Sequence, residues 1–366
     1  MNMKKKITVL VIFGGQSGEH EVSVISADSV IQALNIEKYE IETIGITKEG
    51  SWYWGVKPQE WKGETGRILP HYQQVTLNLN PQNPRFVAID GSELFHEGRC
   101  DIVFPVMHGP KGEDGTIQGL FEMGGFPYVG AGVLGSSLGM DKDRMKAVFK
   151  EAGLPIVSHL TVLRDNFAQN QSRFVDRVCR EIGFPCFIKP ANLGSSVGIS
   201  KAENMEDLIR AVEYAAGFDR KVVVEQGVKA REIELSVLGN DKARVSVPGE
   251  IIPSKEFYDY EAKYIDAGSK LVIPAELDEY TVKKLQDYAE KAFHAVGALG
   301  LGRVDFFVTE DGNIFVNEIN TMPGFTQISM YPKLWEASGL PYKDLLDELI
   351  RLGLEKFRDD QTRKLS

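Results

Sequence analysis

The stretch Arg303-Val304-Asp305-Phe306-Phe307-Val308-Thr309-Glu310-Asp311-Gly312-Asn313-Ile314-Phe315-Val316-Asn317-Glu318-Ile319-Asn320 decides more about this chain than any other. Two runs rich in β-branched and aromatic residues flank Asp311-Gly312, the strongest short-range signal for a β-hairpin. With Asp311 and Gly312 as the two loop residues, counting outward pairs Glu310 with Asn313, Val308 with Phe315, Asp305 with Glu318 and Arg303 with Asn320. Side chains alternate along a strand, so Arg303, Asp305, Glu318 and Asn320 share one face. Directly opposed carboxylates repel, and a fold tolerates them when a cation lies between. Oxygen donors with no His or Cys nearby favour Mg²⁺ over zinc. A lone Asp/Glu pair would be an ordinary solvated face. Arg303 and Asn320 on the same face, with Thr321-Met322-Pro323-Gly324 directly after, favour the metal site.

The 366 residues are enough for two or three domains with substantial cores. Hydrophobic residues at 43% and charged residues at 26% describe a globular protein rather than a disordered one. A net charge of −10 argues against a general nucleic-acid or anionic-membrane surface, so neither partner is expected. Cys100, Cys179 and Cys186 lack C-x-x-C spacing and read as ordinary buried thiols in a reducing compartment. Lys4-Lys5-Lys6 before Ile7–Phe13 superficially resembles a signal peptide, but no small-residue cleavage site follows. A first buried strand explains it better. No segment approaches the ~20 apolar residues of a membrane span, and the expected location is the cytoplasm.

The N-terminal third reads as α/β. Ile7–Phe13, Ile41–Ile46 and Ile102–Val106 are strands, Val22–Leu34 is a helix, and Gly50–Gly98 is a variable edge region with hairpins. Strand, crossover helix and strand imply a parallel sheet with ligands at the strands' C-terminal ends. A helix is expected over Asp141–Ala152, where Met145, Val148, Phe149 and Ala152 form one stripe before Gly153 and Pro155. Phe184–Lys189 and Val222–Glu225 read as strands flanking the helix Met205–Ala216. Glu232–Leu238 and Val245–Ile252 form an antiparallel pair, and Thr281–Val296 and Tyr342–Phe357 are helices. The expected domains are 1–130 (substrate-binding), 131–225 and 226–366, the last carrying a mobile loop at about 256–269.

Ala191-Asn192-Leu193-Gly194-Ser195-Ser196-Val197-Gly198 follows a strand ending in Lys189-Pro190. Its glycines and hydroxyls suit close approach to a phosphate, although no Walker loop occurs anywhere in the chain. Alone, such a turn is usually just a turn. Lys142 in a helix's first turn opposes the helix dipole unless an anion lies close. Two phosphate-compatible lysines, a Gly-Ser loop and an acidic hairpin together suggest Mg²⁺-nucleotide chemistry. Gly14-Gly15 after the first strand raises a dinucleotide-binding fold, but G-x-G-x-x-G spacing is absent, which makes an oxidoreductase a poor third. His20 and His108, the latter opening His108-Gly109-Pro110-Lys111-Gly112-Glu113-Asp114-Gly115, are the histidines with useful context.

Taken together these motifs resemble the D-alanine–D-alanine ligases, members of the ATP-grasp superfamily, in order over nearly the whole chain. Phe13–Ser23 is similar to the N-terminal signature, His108–Gly119 to the second, and Gly139–Lys142 and Lys189–Gly198 to the phosphate-binding segments. Phe257–Tyr264 resembles the mobile loop and Arg303–Gly324 the metal hairpin. The resemblance implies an ATP-grasp fold (α/β, with α+β character in the C-terminal part) carrying an N-terminal parallel-sheet domain. It implies that Lys142 and Lys189 hold the α- and β-phosphates of ATP, with Ser196 in the same loop. Glu225 through Val228 would form the adenine hinge, Glu232 would bind the ribose and Lys263 would contact the γ-phosphate. Asp305, Glu318 and Asn320 would coordinate two Mg²⁺ ions, with Mn²⁺ as a substitute. Glu19 would bind the ammonium of the first D-alanine, linked by hydrogen bonds to Ser195 and Tyr264, and His108 would line the substrate site. Arg303 and the Gly324 N–H would form the oxyanion hole, and Ser329 and Met330 would contact the second D-alanine. A homodimer is what the family suggests.

Three rival readings remain open at this level. Related ligases join D-alanine to D-lactate or D-serine; Tyr264, in the retained Glu261–Tyr264 pattern, favours D-alanine. An inactive nucleotide-binding relic should have lost metal or oxyanion residues, which are all present. Another carboxylate–amine ligase would share the lysines and the hairpin but not the Glu19 segment together with the Tyr264 loop.

Overall fold

The computed structural model describes residues 5–62, 68–252, 270–326 and 328–363. The expected mobile loop at 256–269, with Lys263 and Tyr264, lies outside the described residues. Among those described, the strands form three sheets.

The first sheet follows from its central strand, β1 (Ile7–Gly14), whose side chains are apolar on both sides. Val9, Val11 and Phe13 enter one core and Leu10 and Ile12 another, the two-sided burial that a parallel sheet under helices requires. β2 (Tyr39–Ile46) and β6 (Ile102–Val106) flank it in parallel. β3 (Trp52–Trp54), β4 (Gln73–Asn78) and β5 (Arg85–Ala88) extend the sheet antiparallel beyond β2, so the expected edge hairpins are present. The first core also takes Leu345, Leu346 and Leu349 from the last helix, Tyr342–Gln361, which returns the chain's end to its beginning. Gly14 is needed where β1 leaves the sheet. Its φ is +87°, and a Cβ there would lie 2.2 Å from the Ile46 carbonyl oxygen. That turn delivers Glu19 to the C-terminal edge of the sheet.

A second, antiparallel sheet runs β7 (His159–Leu163), β10 (Lys221–Gln226), β8 (Cys186–Pro190), β9 (Ser200–Ala202). The helices Gln171–Glu181 and Met205–Ala216 pack apolar faces onto it. The third sheet runs β14 (Lys270–Val272), β13 (Gly249–Ile252), β11 (Ala230–Gly239), β15 (Gly300–Thr309), β16 (Ile314–Asn320), with β12 (Arg244–Val245) beside β11. Its core face is covered by helix Glu279–Ala295 and by Met145 and Phe149 of helix Lys142–Glu151. The latter helix starts where the Asp141 side chain accepts from the Arg144 amide, and the chain leaves it at Gly153, φ +69°. Helix Val133–Met140, not anticipated, has the sequence VLGSSLGM, poor in helix formers. Its glycines serve contact: a Cβ on Gly135 would meet the Gly297 carbonyl at 2.8 Å, and one on Gly139 the Thr321 side chain at 2.9 Å.

The decisive hairpin corrects the sequence reading in one respect. Arg303 pairs with Asn320 and Asp305 with Glu318 as expected, but Val308 pairs with Ile314 rather than Phe315. The Thr309 amide donates to the Asn313 carbonyl at 2.9 Å, so the loop is Glu310-Asp311-Gly312, three residues with Gly312 at φ +81°. Such loops are the next commonest after two-residue turns. A β-bulge then leaves Asn317 unpaired, and the two departures cancel at the functional end. The bulge also sets the face: Ile314, Val316 and Ile319 are buried, a spacing of two then three. Without the extra residue, Glu318 and Asn320 would follow Val316 into the core.

Candidate active site

The polar face of the third sheet gathers Glu232 and Glu234 from β11, Arg303 and Asp305 from β15, and Glu318 and Asn320 from β16. Glu234 stands directly opposite Asp305 and Ser236 opposite Arg303. The Arg303 guanidinium donates twice to Asp305, each at 2.7 Å, and its Nε lies 2.9 Å from Glu234 Oε2. The Asn320 amide donates to Asp305 at 3.0 Å. Burial alone would depress the Arg303 pKa, but Asp305 and Glu234 hold it well above its usual value. The donors suit a hard divalent cation: two carboxylates and one amide oxygen, with no nitrogen or sulfur. Among the described residues no group of three or more His, Cys, Asp or Glu could hold a metal unaided.

Facing these groups is a cluster of lysines. Lys142, the first residue of its helix, lies 3.5 Å from Glu318 and donates to the Leu193 carbonyl at 2.9 Å. Lys189, at the end of β8, pairs with Glu225 of β10 at 2.7 Å. Lys146, fully buried one helical turn after Lys142, lies 3.1 Å from the other Glu225 oxygen. Burial opposes ionisation of Glu225, yet Lys146 and Lys189 draw its carboxyl down to about 2. Desolvation pushes Lys146 below the usual lysine range, while the carboxylates of Glu225 and Glu318 more than offset the desolvation of Lys189 and raise it. Three ammonium groups, those of Lys142, Lys146 and Lys189, thus gather on one side of the site and face the carboxylates of the third sheet.

A third group links the N-terminal sheet to the loop after β8. The Ser195 hydroxyl donates to Glu19, which is buried. Ser195 and Ser196 both have positive φ, +49° and +58°, a conformation that costs about 1–2 kcal/mol per non-glycine residue and concentrates at functional sites. Gly109 and Gly194 border the same carboxylate: a Cβ on either would come within 2.5 Å and 2.8 Å of Glu19 Oε2. Glu113 accepts from the amides of Gly109 at 2.7 Å and Met322 at 3.3 Å. Desolvation and the Glu19 charge push it well above the usual carboxylate range.

His108 is buried, with Nδ1 3.1 Å from the Met322 carbonyl and Nε2 3.1 Å from Ser26 Oγ. A carbonyl only accepts, so Nδ1 carries the proton and Nε2 accepts from Ser26. Desolvation lowers its pKa, in keeping with that neutral tautomer. The ring thus braces the segment leading to Gly324. There a Cβ would lie 2.8 Å from Ser329 Oγ, and that hydroxyl also accepts from the Thr326 amide at 3.0 Å. Met330 packs with Ile251 and Leu334 in a small core, so its side chain is occupied there. Val228 sits half-buried in the connection from β10 to β11.

Most of the expected residues therefore converge. Lys142 touches Glu318, the Lys189–Glu225 pair meets Lys146 of the same helix, and Ser195 of the loop after β8 reaches Glu19. Sequence reading missed Glu234, Lys146 and Glu113 as contributors. Glu234 was legible: it falls two residues after Glu232 in an alternating strand.

Comparison with known proteins agrees with this architecture. Residues 8–131 match the family model described as D-ala D-ala ligase N-terminus, and residues 148–351 the one described as D-ala D-ala ligase C-terminus. A D-alanine–D-alanine ligase of Heliobacterium modesticaldum is 49% identical over 97% of this chain and 97% of its own. One from Acetivibrio thermocellus is 47% identical over 98% of each. Among solved structures, the VanG D-Ala:D-Ser ligase of Enterococcus faecalis superposes with a TM-score of 0.85 at 37% identity, covering 95% of this chain and 100% of that one. The D-alanine–D-alanine ligase of Coxiella burnetii gives 0.83 at 36%, covering 98% and 97%. The chain belongs to the D-alanine–D-alanine ligase family.

Proposed function

We propose that this chain joins two molecules of D-alanine into D-alanyl-D-alanine, converting ATP to ADP and phosphate, as a step in peptidoglycan precursor synthesis. The observation that carries the reading is the apposition of Asp305, Glu318 and Asn320, on one sheet face, to the Lys142–Lys189 cluster. A carboxylate is a poor electrophile and needs activation. Lys142 and Lys189 hold the phosphates of ATP, and Glu225 through Val228 with Glu232 receive the nucleoside. Asp305, Glu318 and Asn320 would hold Mg²⁺, which would neutralise charge on the phosphate oxygens.

Glu19, fixed by the Ser195 hydroxyl, binds the ammonium of the first D-alanine and so aims its carboxylate at the γ-phosphorus. An oxygen of that carboxylate attacks, the bond to the β–γ bridging oxygen breaks, and D-alanyl phosphate forms. The deprotonated amine of the second D-alanine, held near Ser329, then attacks the acyl carbon. Arg303 and the Gly324 N–H stabilise the tetrahedral oxyanion, and phosphate departs, taking up the proton that the nitrogen loses as the amide forms. Lys263 and Tyr264 belong to the same reading, as groups that close over the site and exclude water. ATP as substrate favours a cytoplasmic enzyme. The described residues include no helix long and apolar enough to cross a membrane.

The VanG likeness at 37% identity supports a second reading, in which D-serine takes the second site. Competition between D-alanine and D-serine, with products resolved by mass, separates the two. Dominant D-alanyl-D-alanine at equal amino-acid concentrations supports the first reading, and dominant D-alanyl-D-serine overturns it.

A further inference from the structure

β16 is the edge of its sheet, and the polar groups of its outer side are taken up by the segment that carries Lys142. The Val316 amide donates to the Pro155 carbonyl at 2.8 Å, and the Ile319 amide to Met145 Sδ at 3.4 Å. Lys146 Nζ donates to the carbonyl of Asn317, the bulged residue, at 3.3 Å. The peptide groups on both sides of Glu318 are therefore gripped by consecutive residues of one helix. Lys146 has no exposed surface, and its other partner is Glu225 in the second sheet. One buried ammonium thus bridges the carboxylate beside Lys189 and the bulge that turns Glu318 and Asn320 out of the core.

The geometry points to Lys146 as a positioning residue that holds the Asn317 bulge in register with the nucleotide-binding cluster, so that Glu318 presents its carboxylate to the metal only when Lys146 is in place. A bulge is a local irregularity with one unpaired peptide group, and slippage by one residue would exchange Glu318 for a core side chain. A charged donor on the bulged carbonyl, paid for by pairing with Glu225, opposes that slip. The inference rests on the metal reading proposed above.

The test is calorimetric titration of ADP across a range of Mg²⁺ concentrations, on wild type, K146M, E318Q and K146M/E318Q. In wild type, Mg²⁺ tightens ADP binding; if it does not, the metal reading fails, independently of Lys146. Partners that orient metal ligands are typically worth 10–100-fold in metal affinity. K146M is therefore expected to raise the Mg²⁺ concentration for half-maximal tightening by about tenfold or more. In the E318Q background the same substitution should change it by less than about twofold, because Lys146 acts through Glu318. A K146M protein with an unchanged Mg²⁺ midpoint, or an effect that adds fully to that of E318Q, overturns the inference. If K146M does not fold, K146M/E225Q removes both members of the ion pair and is compared with E225Q, with the same tenfold shift expected. Failure of that protein to fold as well would make Lys146 a requirement of the fold rather than a positioning residue, and would also overturn it.

Discussion

Replacing Glu225 by glutamine tests the electrostatic core of the site most severely. The carboxylate is 2% exposed and bound by Lys189 at 2.7 Å and Lys146 at 3.1 Å. It titrates near 2 in the fold against 4.5 when unperturbed, which corresponds to about 3 kcal/mol of stability at neutral pH. Breaking a buried pair by removing one partner costs about 3–5 kcal/mol; glutamine still accepts hydrogen bonds, so the lower figure applies. Because the folded value is depressed, the contribution is complete above pH 4.5 and is lost as pH falls towards 2. E225Q should be about 3 kcal/mol less stable than wild type at pH 7, with the gap less than about half that at pH 3. Urea unfolding at both pH values, with amide exchange over Cys186–Pro190 and Lys221–Gln226 reporting the local free energy, measures it. A variant within about 0.5 kcal/mol of wild type at pH 7, or a gap independent of pH, would refute the reasoning.

Three further substitutions probe other parts. Ser195→Ala removes a hydrogen bond to a charged, buried acceptor, worth about 1.5–3 kcal/mol, so kcat/KM for D-alanine should fall roughly 10- to 100-fold. Steady-state kinetics at saturating ATP reads it, and an unchanged value removes Ser195 from the site. Gly109→Ala puts a methyl group 2.5 Å from Glu19 Oε2 at φ +73°; weakened D-alanine binding by calorimetry is expected, with ADP binding retained. Lys356, buried on the last helix, donates to the Gly130 carbonyl at 2.8 Å, and burial pushes it down to about 7. Its folded value lies below the unfolded one, so protons are released on folding and wild-type stability should rise with pH. Relative to K356M, denaturation should show a gain of roughly 2 kcal/mol between pH 7 and 9, and a flat difference would contradict it.

The sequence revealed the functional end of the hairpin more securely than its loop. Asp305 opposite Glu318 is a chemical constraint, since two opposed carboxylates need a reason, whereas Asp311-Gly312 serves a three-residue loop as well as a two-residue one. The bulge at Asn317 was nonetheless written in the chain: apolar residues at 314, 316 and 319 change phase between the last two. Strands and long amphipathic helices were legible because burial imposes period. Helix Val133–Met140 was not, because its glycines answer to close contacts with Gly297 and Thr321 that no local pattern encodes. Glu113 and Lys146 escaped for a related reason. Their surroundings are assembled from distant segments, Glu113 by Gly109 and Met322, Lys146 by Glu225 and Asn317.

The first D-alanine is activated by γ-phosphoryl transfer at this site in the proposed mechanism. D-Alanine labelled with ¹⁸O in its carboxylate, incubated with ATP and Mg²⁺, tests it directly when phosphate and nucleotide products are analysed by mass. The expected products are ADP and D-alanyl-D-alanine, with one ¹⁸O atom transferred to inorganic phosphate for each peptide formed. Label appearing in AMP, or peptide formed without label in phosphate, would contradict it.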